Sequence, residues 1–314
     1  MRKLSRILSI SASAIGLSFV TALAPLSATA ASMFKADLKT LNADFGSTAS
    51  GTALLTLDEP SEFERTIRVQ IDAAGLQDLT AFGGFHVAHV HGQFAGNATK
   101  PLFDQGNGDF FKGAGGTSVP SVLPTVAKDD VDGDGFLNFI EGRPAYGPVV
   151  LNLTSVQQPA APSGTPPLSQ FLAGVGAGTI DPTAVFPQGD TFTLDTTYRF
   201  NLNDEDEARQ FTNLSPLTNR EIVLHGLTVP DTISNPIDEL VTANGSGAPL
   251  GIPLNDGTGR VFRITAPVAA GTIVAIDDES ASVPEPGTAG ALVALGVFGS
   301  ILVLRRQRDL VVNS

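Results

Sequence analysis

The sequence predicts an all-β domain, folded as an antiparallel Greek-key sandwich or flattened barrel with long loop insertions. Short runs rich in β-branched and aromatic residues recur between clusters of Gly, Pro, Asn and Asp. This pattern is typical of strands joined by turns. Only two segments, 166–176 and 204–214, have the composition of short helices. Many short strands with few helices are characteristic of sandwiches and barrels.

The clearest strand lies in the segment RTIRVQIDA, where Ile67, Val69 and Ile71 alternate with polar residues. A period of two is expected of a strand that is buried on one face. Further strands are predicted at 51–57, 147–153, 191–202, 221–229, 260–268 and 271–276. Two long stretches, between His91 and Gly147 and over 155–190, lack this pattern, and such stretches in a compact domain are usually functional or disordered.

The first thirty residues have the features of an export signal. Arg2, Lys3 and Arg6 precede an apolar run over 7–26, and Ala28-Thr29-Ala30 supplies a small-residue cleavage pattern. These three parts predict a signal peptide at 1–30. The alternative, a transmembrane anchor, fits less well because the segment is rich in Ser and ends at Pro25 and the cleavage pattern.

The last thirty residues contain a second targeting pattern. A Val-Pro-Glu-Pro sequence at 283–286 precedes an apolar run, for which we predict a transmembrane helix at 288–304. Arg305, Arg306 and Arg308 follow it and place the tail on the cytoplasmic side. In this order the parts, at 283–310, resemble the PEP-CTERM sorting signal of bacterial exopolysaccharide producers. A plain C-terminal membrane anchor is the alternative and implies the same compartment.

The PEP-CTERM resemblance implies a location and partners. An exosortase-type sorting protease would cut near the Pro-Glu-Pro. The protein would reach the periplasm, the cell surface or the extracellular matrix. The C-terminal helix would anchor it in the inner membrane, transiently or permanently, and exopolysaccharide would be a further partner.

Between the two signals lies a single predicted domain over 31–280. The whole chain has a net charge of −13, and removing both signals takes away more basic than acidic residues, so the remaining domain is still more acidic. Such a charge repels nucleic acid and anionic membranes and attracts cations. The chain has no Cys, so its stability depends on the burial of its core and on bound metal.

The segment DVDGDGFLNFIE, residues 130–141, matches a twelve-residue EF-hand-type calcium loop. A glycine, Gly135, occupies position six, where the chain must turn sharply. The predicted ligands occupy positions one, three, five, seven (through its carbonyl), nine and twelve: Asp130, Asp132, Asp134, Phe136, Asn138 and Glu141. Several carboxylates so close together repel one another without a cation, so we predict that the loop binds calcium. The alternative is an acidic turn that binds no metal.

The flanks of this loop do not suit a paired EF-hand. Pro120 and Pro124 disfavour an entering helix, and Gly142 and Pro144 predict that any exiting helix ends at once. The loop is similar to the solitary calcium loops of dockerins and other extracellular proteins. We therefore expect a structural role for the ion.

Three of the four histidines of the chain cluster in FGGFHVAHVHGQF. If this segment is a strand, alternation places His89 and His91 on one face and His86 on the other. The fourth histidine, His225, lies in the predicted strand 221–229. If the two strands are neighbours, His89, His91 and His225 converge, and three neutral imidazoles suit copper or zinc and leave one coordination position open.

At this point the residues resemble the Cu/Zn superoxide dismutases. The spacing of His86, His89 and His91 is similar to the H-G-F-H-V-H-x-F strand of that family, and REIVLHG is similar to its R-x-x-V-V-H strand. The resemblance implies copper ligands at His89, His91 and His225, with His86 hydrogen-bonded behind the site. It also places Arg260, in GTGR, near a substrate-guiding arginine. With four histidines and no Cys, the bridging histidine, the zinc histidines and the disulfide of the family have no counterparts.

The segments VAHVHG and GPVVLNL also resemble the CHRD domain, whose pattern is A-H-I-H-G followed by G-P-V-V-x-x-L. Both families are antiparallel β-sandwiches or barrels. We favour a non-catalytic CHRD-type protein of the envelope or the exopolysaccharide matrix that binds calcium and a transition metal, because the dismutase site is incomplete. The alternatives are a copper-dependent, superoxide dismutase-like enzyme and histidines that are simply hydrogen-bonded at a sheet edge.

Overall fold

The computed structural model describes residues 31–95, 116–163, 165, 167–233, 251–254 and 257–276. The predicted signal peptide and the predicted sorting signal, with its transmembrane segment, lie outside these ranges. Within them, no helix combines the length and the hydropathy that a bilayer-spanning segment needs.

The described residues form a mostly β structure in which eleven strands share one open, antiparallel sheet. In chain order the strands are β1 Ser32–Thr40, β2 Ser50–Ser61, β3 Glu64–Ala74, β4 Val87–Phe94, β5 Ser118–Val119, β6 Val149–Asn152, β7 Thr191–Asn201, β8 Arg220–Pro230, β9 Gly251–Pro253, β10 Arg260–Thr272 and β11 Val274–Ala275. Their order across the sheet is β5-β4-β8-β10-β1-β2-β3-β7. In addition, β6 pairs with β4, β9 with β10 and β11 with β1.

The helices are few and short, and they follow the chain order α1 Val126–Asp129, α2 Phe139–Tyr146, α3 Pro167–Gly176, α4 Pro182–Val185 and α5 Glu205–Leu214. Single-turn 3-10 helices occur at Ala43–Phe45, Thr80–Phe82 and Leu217–Asn219. The two predicted helical segments are confirmed as α3 and α5. The expectation that any helix leaving the acidic loop ends at once at Gly142 and Pro144 is wrong, because the helix that begins directly after Asn138, α2, continues through both residues.

Most predicted strands are confirmed, but the sequence pattern fails for β1 and for the segment 271–276. Strand β1 was not predicted, because Lys35, Asp37 and Lys39 alternate with its buried residues and weaken the apolar pattern. The predicted strand 271–276 does not exist as a separate unit: β10 extends to Thr272, and a two-residue strand, β11, follows it.

The strands differ in how many of their faces are covered. In β7 buried and exposed residues alternate, as expected of a strand with one wet face. In β4 every residue is buried, and in β8 every residue but the last. One face of β4 and β8 contributes residues such as Val90 and Leu224 to the main hydrophobic core. The other face is covered by α2, since Tyr146 packs with Val223 of β8 in a second, smaller cluster. The covered outer face contains the histidines.

Candidate metal centre

The β4–β8 pairing brings the three predicted ligands together. In the register Val87 lies opposite His225, so His89 is the diagonal neighbour of His225 on the same face. One nitrogen each of His89, His91 and His225 lies within 4.8 Å of the others, and the ring centroids are 5.2–5.7 Å apart. Because β4 lies between β8 and β6, the histidines are inside the sheet and not at a free edge.

Hydrogen bonds fix the tautomers of two of these histidines. His91 Nδ1 lies 2.8 Å from the carbonyl oxygen of Gly147, and His225 Nδ1 lies 2.9 Å from that of Thr265. A carbonyl can only accept, so both Nδ1 atoms carry the proton. Both Nε2 atoms are then lone-pair donors, and neither has a hydrogen-bond partner among the residues that the structure describes. Metal-ligating histidines are commonly oriented in this way.

A bulge in β10 brings Thr265 into position. The β8–β10 register slips between Arg263 and Pro267 and again before Ala269. The extra residues bend the strand locally, as bulges do beside functional sites. The carbonyl of Thr265 is thereby turned towards His225 instead of completing the regular ladder.

His89 is held differently from the other two histidines. Within the described part of the chain, neither of its ring nitrogens has a hydrogen-bond partner, although the residue is only 3 % exposed. A buried nitrogen without a partner costs free energy. A metal ion would satisfy one nitrogen of His89 and the Nε2 atoms of His91 and His225, so the residues present fit such an ion.

Burial keeps all three imidazoles uncharged. It lowers the pKa of His225 to about 4. The pKa values of His89 and His91 also fall well below the ordinary range, first because of burial and then because the neighbouring histidines oppose a further positive charge. At neutral pH the site therefore presents three neutral ligands, the form that binds metal.

The C-terminal half of the acidic insertion covers the cluster. The Tyr146 ring lies 4.4 Å from the His91 ring, and the Phe139 ring lies 6.0 Å from the His225 ring. Gly147, whose carbonyl orients His91, caps α2 with φ +84°, and a Cβ there would lie 2.2 Å from the carbonyl oxygen of Gly92. Only glycine fits both this backbone angle and this close approach.

His86 lies behind the site, directly before β4. Its Nε2 is 2.7 Å from the carbonyl oxygen of Gln77, and its Nδ1 is 3.3 Å from that of His225. Burial is the largest influence on its pKa, which is lowered. Gly226, with φ +118°, leaves room for the ring, because a Cβ there would lie 2.7 Å from His86 Nδ1. His86 thus contacts the backbone of a predicted ligand and not the shared centre.

Sequence reasoning missed Glu221, which lies opposite His91 in the β4–β8 register. Its side chain is fully buried, and burial raises its pKa to about 8. The carboxyl group is therefore mostly protonated at neutral pH. Alternation along β8 places Glu221 on the face of Val223 and His225, a signal present in the sequence.

Arg260 is not brought to the histidines. It pairs with Pro230, five residues along β8 from His225, which corresponds to roughly 16 Å of strand. Its guanidinium donates to the carbonyl of Thr228 and lines a separate pocket with Gln77. The position expected from the dismutase resemblance is thus not the one that the structure shows.

The acidic loop brings together three of its predicted ligands. Carboxylate oxygens of Asp130, Asp132 and Asp134 lie within 4.8 Å of one another. Asp130 accepts the backbone amides of Gly133 and Gly135 at 2.8 and 2.9 Å, which curls the loop around the three carboxylates. Partial burial, followed by the charges of Asp132 and Asp130, raises the pKa of Asp134.

The other predicted ligands of the loop have structural contacts of their own. Glu141 accepts the amides of Val131 and Asn138, and it is not grouped with the three aspartates. Asn138 accepts the amides of Ile140 and Glu141, so the two residues form a capping box at the start of α2. Phe136 is anchored by its ring, which packs edge-on against Phe45 with centroids 5.1 Å apart.

Comparison with known families identifies one part of the chain. Residues 282–307 match the model of the PEP-CTERM protein-sorting motif, which confirms the predicted sorting signal. No family model of the CHRD or superoxide dismutase type matches. Neither the curated proteins nor the solved structures contain a match to the chain. The sorting motif is the recognition signal for an exosortase and indicates an exported protein that is targeted to the cell envelope.

Proposed function

We propose that this exported protein is a CHRD-type, Greek-key β-sandwich of the envelope or exopolysaccharide matrix that binds one transition-metal ion, copper or zinc, through His89, His91 and His225. The observation that carries the proposal is the convergence of three buried, uncharged imidazoles whose facing nitrogens have no other partner in the described ranges. A purely structural histidine would be expected to have its nitrogens hydrogen-bonded.

Calcium binding by the loop at 130–141 is the second part of the proposal. Carboxylate oxygens of three aspartates lie within 4.8 Å of one another, and calcium prefers such hard oxygen ligands. Since Glu141 caps α2, it would reach a calcium ion only after giving up backbone contacts. The ion would otherwise be held by the three aspartates, by the Phe136 carbonyl and by water.

The transition-metal proposal is tested by metal analysis of the exported protein. Wild-type protein should hold close to one equivalent of copper or zinc, and the His89→Ala, His91→Ala double variant should hold none. The matched control is His86→Gln, which changes a buried histidine of the same segment that contacts backbone only. The His86→Gln variant should keep its metal content, although its affinity for copper or zinc can fall. Full metal content in the double variant would exclude the three-histidine site.

A copper-dependent, superoxide dismutase-like enzyme is the second candidate, because the same three histidines would leave one position on copper open. It requires copper-loaded protein to consume superoxide faster than the His89→Ala, His91→Ala variant at the same total copper. Equal rates of superoxide consumption would mean that the protein binds metal but lacks this activity.

A further inference from the structure

A pocket of about 460 Å³ lies where the β1–β2 and β3–β4 connections meet strands β8 and β10. This volume is towards the lower end of the roughly 300–1,000 Å³ that is typical of small-molecule sites. The lining includes neither the three clustered histidines nor the three loop aspartates. A ligand in this pocket would therefore not depend on either of the proposed metal ions.

The wall of the pocket combines apolar and hydrogen-bonding groups. Its apolar side chains come from both connections, from β8 and β10 and from the residue after β9: Phe45, Leu76, Phe82, Leu227, Leu254 and Val268. The hydroxyl groups of Ser47 and Thr48 each donate to a backbone carbonyl, at 3.0 and 2.8 Å, so their oxygens can still accept from a ligand. Such a wall suits a ring that has apolar faces and a polar edge.

The charge of the pocket is positive, although the chain as a whole is acidic. Among the described residues that line the pocket, Arg260 alone is charged, and it forms no ion pair with any carboxylate in the described ranges. Other arginines of the chain do pair with carboxylates, namely Arg65, Arg68, Arg199 and Arg209. A guanidinium that has no protein carboxylate beside it is suited to bind the carboxylate of a ligand.

The backbone of Thr228 anchors two donor groups of the wall. Its carbonyl accepts from the Arg260 guanidinium, and its amide donates to the Gln77 side-chain oxygen at 2.9 Å. The first bond uses one of the five N–H donors of the guanidinium, and the second occupies the Gln77 oxygen, so the Gln77 NH₂ group is left as a donor. One strand residue thus holds a charged donor and a neutral donor in the same wall.

We propose that this pocket binds one acidic sugar unit, a pyranose that carries a single carboxylate, as in a uronic acid. Arg260 pairs with the carboxylate, and Gln77 donates to an oxygen of the ring. A single cation matches a monoanion better than a phosphate dianion. The C–H faces of a pyranose fit the phenylalanine and leucine side chains, and its hydroxyl groups fit Ser47 and Thr48. The proposal goes beyond the metal sites and does not require them.

Titration calorimetry of the exported protein tests the proposal with three probes: D-glucuronate, D-glucose and inorganic phosphate. We expect saturable binding of one glucuronate, and binding of glucose that is weaker by about 10-fold or more, because glucose lacks the charged partner of Arg260. A disaccharide of uronic acids then shows whether the unit is bound free or at a chain end, by binding more weakly or at least as tightly. Absence of glucuronate binding, or glucose or phosphate binding as tight as that of glucuronate, would overturn the proposal.

Variants test whether the pocket is the binding place. Arg260→Gln should lower glucuronate affinity by about 10-fold or more, since it removes a charge-assisted hydrogen bond. Gln77→Glu keeps an acceptor for the Thr228 amide but replaces the donor by a like charge, so it should also weaken binding and serves if the first variant does not fold.

The matched control is Arg68→Gln, which removes the same charge from a half-exposed arginine outside the pocket lining. Its glucuronate affinity should stay within about 2-fold of wild type, because a distant exposed charge contributes little. Unchanged affinity in a folded pocket variant, or an equal loss in Arg68→Gln, would contradict the proposed site.

Discussion

The histidine cluster and the aspartate loop are two candidate metal sites built on opposite electrostatic principles. The three imidazoles are buried and uncharged, and carbonyl oxygens orient two of them. The three carboxylates are partly exposed and charged, and they lie equally close to one another. The first arrangement involves no charge repulsion and can keep its shape without an ion. In the second arrangement a bound cation would offset the repulsion between the carboxylates, so we expect calcium to matter for stability and the transition metal for function.

The two sites are linked through one helix. Asn138 and Glu141 belong to the loop and also cap α2, and α2 supplies the Phe139 and Tyr146 rings that cover the histidines. The loop is further attached to the sheet, because the amide of Leu137 donates to Asn42, whose side chain donates in turn to the carbonyl of Pro267 in β10. A change at one site could therefore be transmitted to the other through α2.

Loss of one histidine ligand is expected to have the largest effect. His225→Ala removes the only ligand on β8, so the affinity for copper or zinc should fall by more than the roughly 10–100-fold that is typical when an outer-shell partner is lost. Calcium affinity should stay within about 2-fold of wild type. Competition titrations with a chromophoric chelator measure both. A parallel loss of calcium affinity would show that the sites are coupled.

The effect of Asp132→Asn on the melting temperature is expected to have opposite signs with and without calcium. The amide keeps an acceptor for the Asp134 backbone amide, which is 3.2 Å from Asp132 Oδ1, and it removes one of three like charges. In chelator the melting temperature should rise slightly, because repulsion is relieved. In saturating calcium it should fall below that of wild type, because weaker binding contributes less to stability. Thermal unfolding in both buffers measures this difference, and a shift of the same sign and size in both would contradict calcium binding.

Much of the histidine site could be predicted from the sequence, but less of the structure around it. Alternation placed His89 and His91 on one face, and the pairing of β4 with β8 then brought His225 to them. The order of strands and the bulge at Thr265 depend on contacts between distant segments, which local patterns do not contain. Alternation could also have indicated Glu221, but a lone carboxylate among apolar residues gave no sign of its burial.

Helix α2 shows why a local rule failed. Gly142 and Pro144 favour the end of a helix. A helix nevertheless begins here, because Asn138 and Glu141, two of the predicted calcium ligands, form its capping box. Gly142 is needed for packing, because a Cβ there would lie 2.4 Å from the Tyr146 ring. The lost hydrogen bond of Pro144 is offset by the burial of α2 against the outer face of the sheet.

Glu221→Gln tests the electrostatics of the outer face in metal-free protein. Burial raises the folded-state pKa of Glu221 to about 8, above the ordinary value of 4.5 for a glutamate. Between these values the folded state holds a proton that the unfolded state has lost, so this group makes the protein less stable as pH rises from about 4.5 to about 8. The amide cannot titrate, and the variant should therefore melt higher than wild type near pH 8.

The control for this prediction is a comparison of the two melting temperatures at acid pH. Below about pH 4.5 both states of the wild type are protonated at Glu221, so the two proteins should melt within a degree or so of each other. The difference should grow steadily between these limits in a series of thermal scans. A difference that is independent of pH would mean that the variant acts through packing and not through the ionisation of Glu221.

Tyr146→Phe should have the smallest effect. It removes the hydroxyl that donates to the carbonyl of Phe139 at 3.1 Å, a buried hydrogen bond worth about 0.5–1.5 kcal/mol. In a domain of this size about 1 kcal/mol corresponds to roughly 2–4 °C in melting temperature. The ring stays against His91, and the carbonyl that orients His91 belongs to Gly147, so copper affinity should not change. A weaker copper affinity at an unchanged melting temperature would show that the hydroxyl supports the metal centre, which would make α2 part of the site and not only its cover.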